Sequence, residues 1–275
     1  LPEGPEIRRA ADQIAAVLAG QTARKVSFSQ PRLRHQGAVF SGRKVVEVET
    51  RGKAMLTHFD HGLTIYSHNQ LYGVWQIAAA GSIPKTGRSL RLAIHMARHS
   101  ALLYSASDIS IWDTEKVHEH PFLARLGPDI LSRGLDWKTI ASRFMQPPFA
   151  RRQLGGILLD QAFIAGLGNY LRSEILFAAG LHPGRRPLEL TRGELGELAR
   201  LTLQISIRSY KTAGITNRPA LEKTLRARGF SYEQRRFAVF GREGRPCYTC
   251  GGIVSRSDVN SRPFYLCHHC QPLLR

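Results

Sequence analysis

Four cysteines fall within the last 29 residues as Cys247 and Cys250, then Cys267 and Cys270, two C-x2-C pairs separated by sixteen residues. Two such knuckles bring four thiolates to within about 2.3 Å of one tetrahedral cation, so the spacing reads as zinc and not as disulfides. The set contains no carboxylate or water-bearing position, which predicts a structural metal, one per chain, holding a hairpin too small to have its own core. His268 and His269 lie inside the second pair, but knuckle geometry favours the cysteines. Between the pairs, SDVNSRPFYLC puts Arg262 in or near the hairpin turn, where a planar guanidinium could grip a phosphate. The opposite end, LPEGPEIRRA, sets the carboxylate of Glu3 at the mouth of a helix. Read alone, it is a first-turn acid matched to the helix dipole.

Those residues need elements to carry them. Ile7, Ala11, Ile14, Val17 and Leu18 recur at helical spacing and Gly20 follows as a stop, predicting one amphipathic helix. From Ala23 to about Trp112 the chain changes to short β-type runs such as KVVEVET, AMLTHF, LTIYSHN and ALLYSAS, predicting a β-sandwich or barrel. Leu131 to Ala150 is weakly patterned and is a candidate hinge. RRQLGGILLDQAFIAGLGNYLRSEILFAAG reads as a helix, a tight turn at Gly166-Leu167-Gly168, and a second helix from Asn169 to Gly180. The unpaired amides at its start favour a phosphate, and Asn169 is either a donor to it or a helix cap. Thr191 and Glu194 form a capping-box pair ahead of a longer helix to Ser209. Residues 211–236 show no clear periodicity and predict a mobile loop.

Lysine and arginine number 39 against 21 acids, a formal net charge of +18, which suits a polyanionic partner and points to nucleic acid. No run reaches the ~18 apolar residues of a spanning helix, and nothing resembles a secretion signal, so a cytoplasmic location without membrane contact is expected. The expected fold class is α+β in three parts: residues 1–131, a helix plus β-sandwich; 132–237, a hinge and helical DNA-binding domain; and 238–272, a zinc finger.

Taken together, PEGPEIRR, the lysine in TRGKAMLTHF, SHNQLYGVW, LLDQAFIAGLGNYLRSEIL and the C-terminal SRPFYLCHHC resemble the formamidopyrimidine-DNA glycosylase and endonuclease VIII family along nearly the whole chain. The contiguous Gln70-Leu71-Tyr72 resembles the endonuclease VIII branch, which acts mainly on oxidised pyrimidines. The resemblance implies a β-sandwich, a helix-two-turn-helix domain and a zinc finger, with DNA in the cleft between domains. It also implies release of a damaged base followed by β- and δ-elimination of the strand.

Under that resemblance Pro2 is the nucleophile, its free secondary amine attacking the sugar C1′. A terminal amine with a pKa of about 7.7–8 is roughly one-third unprotonated near pH 7.5, against about a thousandth of a lysine. Glu3 matches the general acid/base, Lys53 the lysine that assists β-elimination, and Arg262 the zinc-finger arginine linked to δ-elimination. Gln70, Leu71 and Tyr72 match the wedge that fills the gap left by a flipped base; otherwise they are turn residues with Leu71 and Tyr72 packed in a core. Arg125 and Asn169 match contacts to the DNA backbone. No cofactor besides zinc and no protein partner is implied, and a monomer is the default.

Leu1 departs from this pattern, because an acylated Pro2 nitrogen is an amide without nucleophilic character. The expectation is that Leu1 translates a non-standard start codon, read as methionine and trimmed. A leucine truly retained would favour a non-cutting binder of damaged DNA, although Glu3, Lys53 and Arg262 speak for an enzyme. A zinc-ribbon transcription factor would leave the first 180 residues unexplained.

Overall fold

The N-terminal pattern folds as its periodicity predicts: helix α1 (Gly4–Leu18) buries Ile7, Ala11, Ile14 and Leu18, and Gly20 follows with φ 77°, a conformation that favours glycine. The computed structural model describes residues 2–259 and 262–273, leaving Leu1, Ser261 and the expectations that rest on them outside the described residues. Two compact units result, Glu6–Arg125 in the first, and Leu126 onward together with Glu3–Pro5 in the second.

In the first unit, eight strands make two antiparallel sheets. β2 (Val45–Arg51), β3 (Ala54–Phe59), β4 (Leu63–His68) and β8 (Asp108–Asp113) form one in that order. β1 (Lys25–Phe28), β6 (Leu90–His95), β7 (His99–Tyr104) and β5 (Val74–Ala79) form the other. Alternate side chains point to opposite faces of a strand, so Met55, Phe59, Leu92, Ile94 and Leu103 meet Ile14 and Leu18 in one core. Phe40 lies between Phe28 and Phe59, edge-on to both. The other face of β3 and β4 is covered too: Ala54, Leu56 and Tyr66 pack with Val117, Trp112 and Phe122, and His120 stacks on Tyr66 at 3.9 Å.

The second unit is helical. α2 (Trp137–Phe144), α3 (Asn169–Ala178) and α4 (Arg192–Lys211) enclose a core that includes Ile140, Phe144, Phe163, Leu171, Ile175, Leu198 and Ile205. The predicted capping box is present: Thr191 Oγ1 accepts the Glu194 N–H and the Glu194 carboxylate accepts the Thr191 N–H. β9 (Ser255–Val259) and β10 (Arg262–Leu266) form the antiparallel hairpin, and Phe264 and Leu266 enter the helical core.

Three local expectations are corrected. The stretch from Leu131 to Ala150 is not featureless, because Asp136 caps α2 through the Thr139 N–H and Ile140 and Phe144 are fully buried. Between Arg151 and Gly166 the helical part is limited to Leu154–Ile157; from there Asp160 and Gln161 bond nearby main-chain groups, the local competition that ends helices. Residues 211–236 contain α5 (Pro219–Ala227) and α6 (Tyr232–Arg236). Pro219 opens α5 at a position that needs no N–H, Ser231 and Gln234 form a capping box, and Glu222 pairs with Arg226 and Arg235.

Partly buried imidazoles give stability a pH dependence. His61, His68, His95, His120 and His182 are all held below the ordinary histidine pKa, in each case chiefly by burial. A base form favoured by folding means that the unfolded chain takes up protons first as pH falls below about 6.5, so stability falls with it. The melting temperature is therefore expected to be lower at about pH 5.5 than at about pH 7.5. An equal or higher value at the acid pH would show that these rings do not control stability.

Candidate active site

Within the first unit, Gly52 and Lys53 turn the chain from β2 into β3, Gly52 with φ 62°. Lys53 is close enough to His68 that its charge helps to keep that ring neutral, after burial and against the pull of Asp108. The neutral form is the one the geometry uses, since His68 Nδ1 accepts the Gln70 N–H at 3.0 Å. Gln70 has φ 51°, a left-handed conformation that costs a non-glycine residue about 1–3 kcal/mol unless its surroundings hold it. Here Ser107 Oγ donates to Gln70 Oε1 at 2.6 Å, Arg88 donates to the Tyr72 carbonyl at 2.6 Å, and the Gly73 N–H closes the turn on the Asn69 carbonyl at 2.7 Å. A Cβ at Gly73 would lie 2.5 Å from that carbonyl oxygen, so the turn needs glycine there. Leu71 is 56% and Tyr72 71% exposed, which overturns the alternative that both pack in a core. At the end of this unit, Arg125 is exposed and donates through Nε to the Pro121 carbonyl.

The second unit holds Glu3. Its side chain is buried and accepts the N–H groups of Tyr170 at 2.7 Å and Leu171 at 3.3 Å. The start of α3 is thus an anion site, as expected, but the anion is the protein's own carboxylate, with which a helix N-terminus is well matched. Gly4 donates to the Gly166 carbonyl at 2.8 Å, and a Cβ on Gly168 would lie 2.3 Å from the Glu3 carboxyl carbon. Gly168, which reads as a turn former, therefore also supplies room: the carboxylate could not approach so closely over a larger side chain.

Asn169 is not the cap of α3, a place taken by Gly168. Its amide instead donates to the Pro263 carbonyl at 2.8 Å and accepts from Arg172 at 2.7 Å. Arg172 is fully buried beneath Phe264 and also donates to the Gly155 carbonyl at 3.0 Å. Burial, and secondarily the charge of Arg262, lower its pKa to about 10 against the pull of Glu3, so it remains a cation at neutral pH. Sequence reading missed Arg172. The available signal was an arginine three residues after Asn169, one turn along the same helix. Arg262 opens β10 with an exposed side chain.

All four cysteine sulfurs lie within 4.8 Å of one another, with Cys250 and Cys267 at 3.4 Å and Cys247 and Cys270 at 3.9 Å. Four sulfurs around one zinc ion lie about 3.8 Å apart, so the cluster fits that ion. The Thr249 and Gly252 N–H groups point at the sulfurs of Cys247 and Cys250, as knuckle amides do toward thiolates. Burial and the neighbouring thiols push the Cys270 pKa up. His268 and His269 are exposed and outside the group.

The chain thus combines a two-sheet unit with a helical unit that carries a four-cysteine hairpin and seats the Glu3 carboxylate on a helix N-terminus. Residues 1–109 match the Formamidopyrimidine-DNA glycosylase N-terminal domain and residues 126–218 the Formamidopyrimidine-DNA glycosylase H2TH domain. The chain is 46% identical over 271 residues to proteins named Endonuclease 8 from Enterobacter sp. (strain 638) and Klebsiella pneumoniae, covering 98% of this chain and 100% of each relative. The chain belongs to the formamidopyrimidine-DNA glycosylase and endonuclease VIII family and is a DNA glycosylase of base excision repair. Its fold matches that of the Lactococcus lactis Fpg in complex with abasic-site DNA, with a TM-score of 0.82 and 21% identity over 98% of this chain and 100% of the other.

Proposed function

We propose that this glycosylase removes oxidised bases, mainly pyrimidines, through a Schiff base at the amine of Pro2 and then cuts the strand by β- and δ-elimination. The observation that carries the reading is the seating of Glu3 on the first amides of α3, because it fixes the residue next to the nucleophile. The identity to proteins named Endonuclease 8 supports the pyrimidine preference.

In this reading the Pro2 nitrogen bonds to C1′ as the base departs. The Glu3 carboxyl delivers a proton to the sugar oxygen as the ring opens. A secondary amine yields an iminium without an N–H, so the positive charge persists and draws the electrons released when a C2′ proton is removed; the 3′ phosphate leaves, and a further proton loss expels the 5′ phosphate. Lys53 assists the first proton transfer, and Arg262 holds phosphate for the second. Gln70, Leu71 and Tyr72 occupy the space vacated by the flipped base, whose extrusion costs a few kcal/mol. Arg125 and Asn169 hold the DNA backbone. Cys247, Cys250, Cys267 and Cys270 hold a zinc ion whose chemistry is structural. Residues 1–131, 132–237 and 238–272 divide the work into catalysis, DNA binding and phosphate grip, in a monomer acting on cytoplasmic DNA.

Borohydride reduction in the presence of a duplex carrying an abasic site tests the reading. A covalent adduct mapping to an N-terminal Pro2 is expected, with Arg262→Ala leaving the product of β-elimination uncut at the δ step. Tight binding of the same duplex with no adduct would instead identify a non-cutting binder of damaged DNA.

A further inference from the structure

We infer that Gln161 is a positioning residue for catalysis, its side-chain amide shaping the loop on which Glu3 and Gly4 are seated. The inference rests on the role proposed for Pro2 and Glu3. In the loop from Leu159 to Gly168, Gln161 Oε1 accepts the Gly166 N–H at 3.1 Å, while Nε2 donates to the carbonyls of Leu159 at 3.1 Å and Leu167 at 2.9 Å. One amide thus satisfies both the N–H of Gly166 and the carbonyl of Leu167, on either side of the peptide that joins them.

That peptide lies beside contacts that locate the N-terminus in this unit. The Gly166 carbonyl accepts the Gly4 N–H at 2.8 Å. Gly4 is so close that a Cβ there would lie 2.9 Å from Gly166 Cα. Gly168 packs against the Glu3 side chain, and α3, whose amides hold the Glu3 carboxylate, starts immediately after it. Gly166 itself has φ 98°, a conformation open to glycine and to few other residues.

The outer half of the loop is braced separately. Arg143 donates to the carbonyls of Ala162 and Phe163, both at 2.8 Å, Asp160 accepts the Ala162 N–H, and Ala165 pairs with Pro128 and Ile130. Loss of the Gln161 amide therefore leaves the loop attached but removes the support of its inner half, next to Glu3. A displacement of about 1 Å in a catalytic group can lower a rate about 100-fold.

The test uses the full chain with Gln161→Met, which keeps the length and removes all three bonds, and Gln161→Glu, which keeps the acceptor. Single-turnover borohydride trapping on abasic duplex, affinity for a duplex with a tetrahydrofuran abasic analogue, and melting temperature are measured for each beside wild type and Glu3→Gln. Gln161→Met is expected to trap about 10- to 100-fold more slowly with affinity within about threefold of wild type. For Gln161→Glu the deficit relative to wild type is expected to shrink from about pH 8 to about pH 5.5, because the protonated carboxyl regains an O–H donor for the Leu167 carbonyl while its other oxygen accepts from Gly166. A purely structural role would not give that recovery in the acid range, where the fold itself loses stability.

Trapping by both variants at the wild-type rate, or a deficit in Gln161→Glu that does not change with pH, overturns the inference while leaving the proposed function intact if Glu3→Gln is slow. Wild type that fails to trap, or Glu3→Gln that traps normally, overturns both. Should Gln161→Met not fold, the pH series on Gln161→Glu decides alone.

Discussion

Exchanging Glu3 for glutamine should slow release of a damaged base about 10²- to 10⁴-fold in a single turnover, the usual contribution of a positioned general acid. The amide keeps an oxygen for the Tyr170 N–H, now 2.7 Å from the carboxylate, but its NH2 group must face the Leu171 N–H or turn away from it. It also loses the charge that suits the positive end of α3, a stabilisation of about 1 kcal/mol. The variant should consequently melt only slightly lower and bind a tetrahydrofuran-containing duplex within about threefold of wild type, a difference of less than about 1 kcal/mol. Rate loss far beyond the stability loss assigns Glu3 to the chemistry. A rate within about threefold of wild type would leave it only the task of tying the N-terminus to α3.

Removing the metal should have an effect of comparable size by another route. Structural zinc sites contribute about 10–16 kcal/mol of binding free energy in small domains, and the hairpin from Ser255 to Leu266 has little core of its own apart from what it lends to the helices. Cys247→Ser, or exhaustive chelation, should abolish metal binding at the four cysteines, free Phe264 and Leu266 from the helical core, and remove the Pro263 carbonyl from Asn169 and Arg172. DNA affinity should fall at least about 100-fold, equivalent to about 3 kcal/mol, while much of the helical circular dichroism persists. Metal binding requires thiolates, so zinc uptake releases protons and weakens as pH falls. Zinc analysis and DNA titration of the same samples check this. Metal-free protein that binds and traps abasic DNA normally would show the ion to be dispensable.

On the proposed roles the two outcomes separate the parts of the site, because Glu3 would act in the chemical step and the cysteines would hold the hairpin that carries Arg262. The loss from Glu3→Gln should lie in the rate at saturating DNA, and that from Cys247→Ser in affinity first.

Much of this protein is written locally in its sequence. The cysteine spacing, the alternation of β3 and β4, the period of α1 and the Thr191–Glu194 capping box each depend on neighbours a few residues apart, so pattern and propensity are enough to find them. The roles proposed for Pro2, Glu3, Lys53 and Arg262 are implied by the family motifs and not by pattern or propensity. Other features depend on partners distant in sequence. That the anion on α3 is Glu3, some 167 positions away, that Asn169 holds Pro263 and not its own helix, and that Arg172 is a fully buried cation all follow from chain segments brought together by folding. So does the order of residues 211–236, where Glu222 gathers Arg226 and Arg235. Local sequence sets which elements form and which groups can react; tertiary structure decides which of those groups are satisfied, because a buried hydrogen bond takes its partner from whichever segment packing delivers.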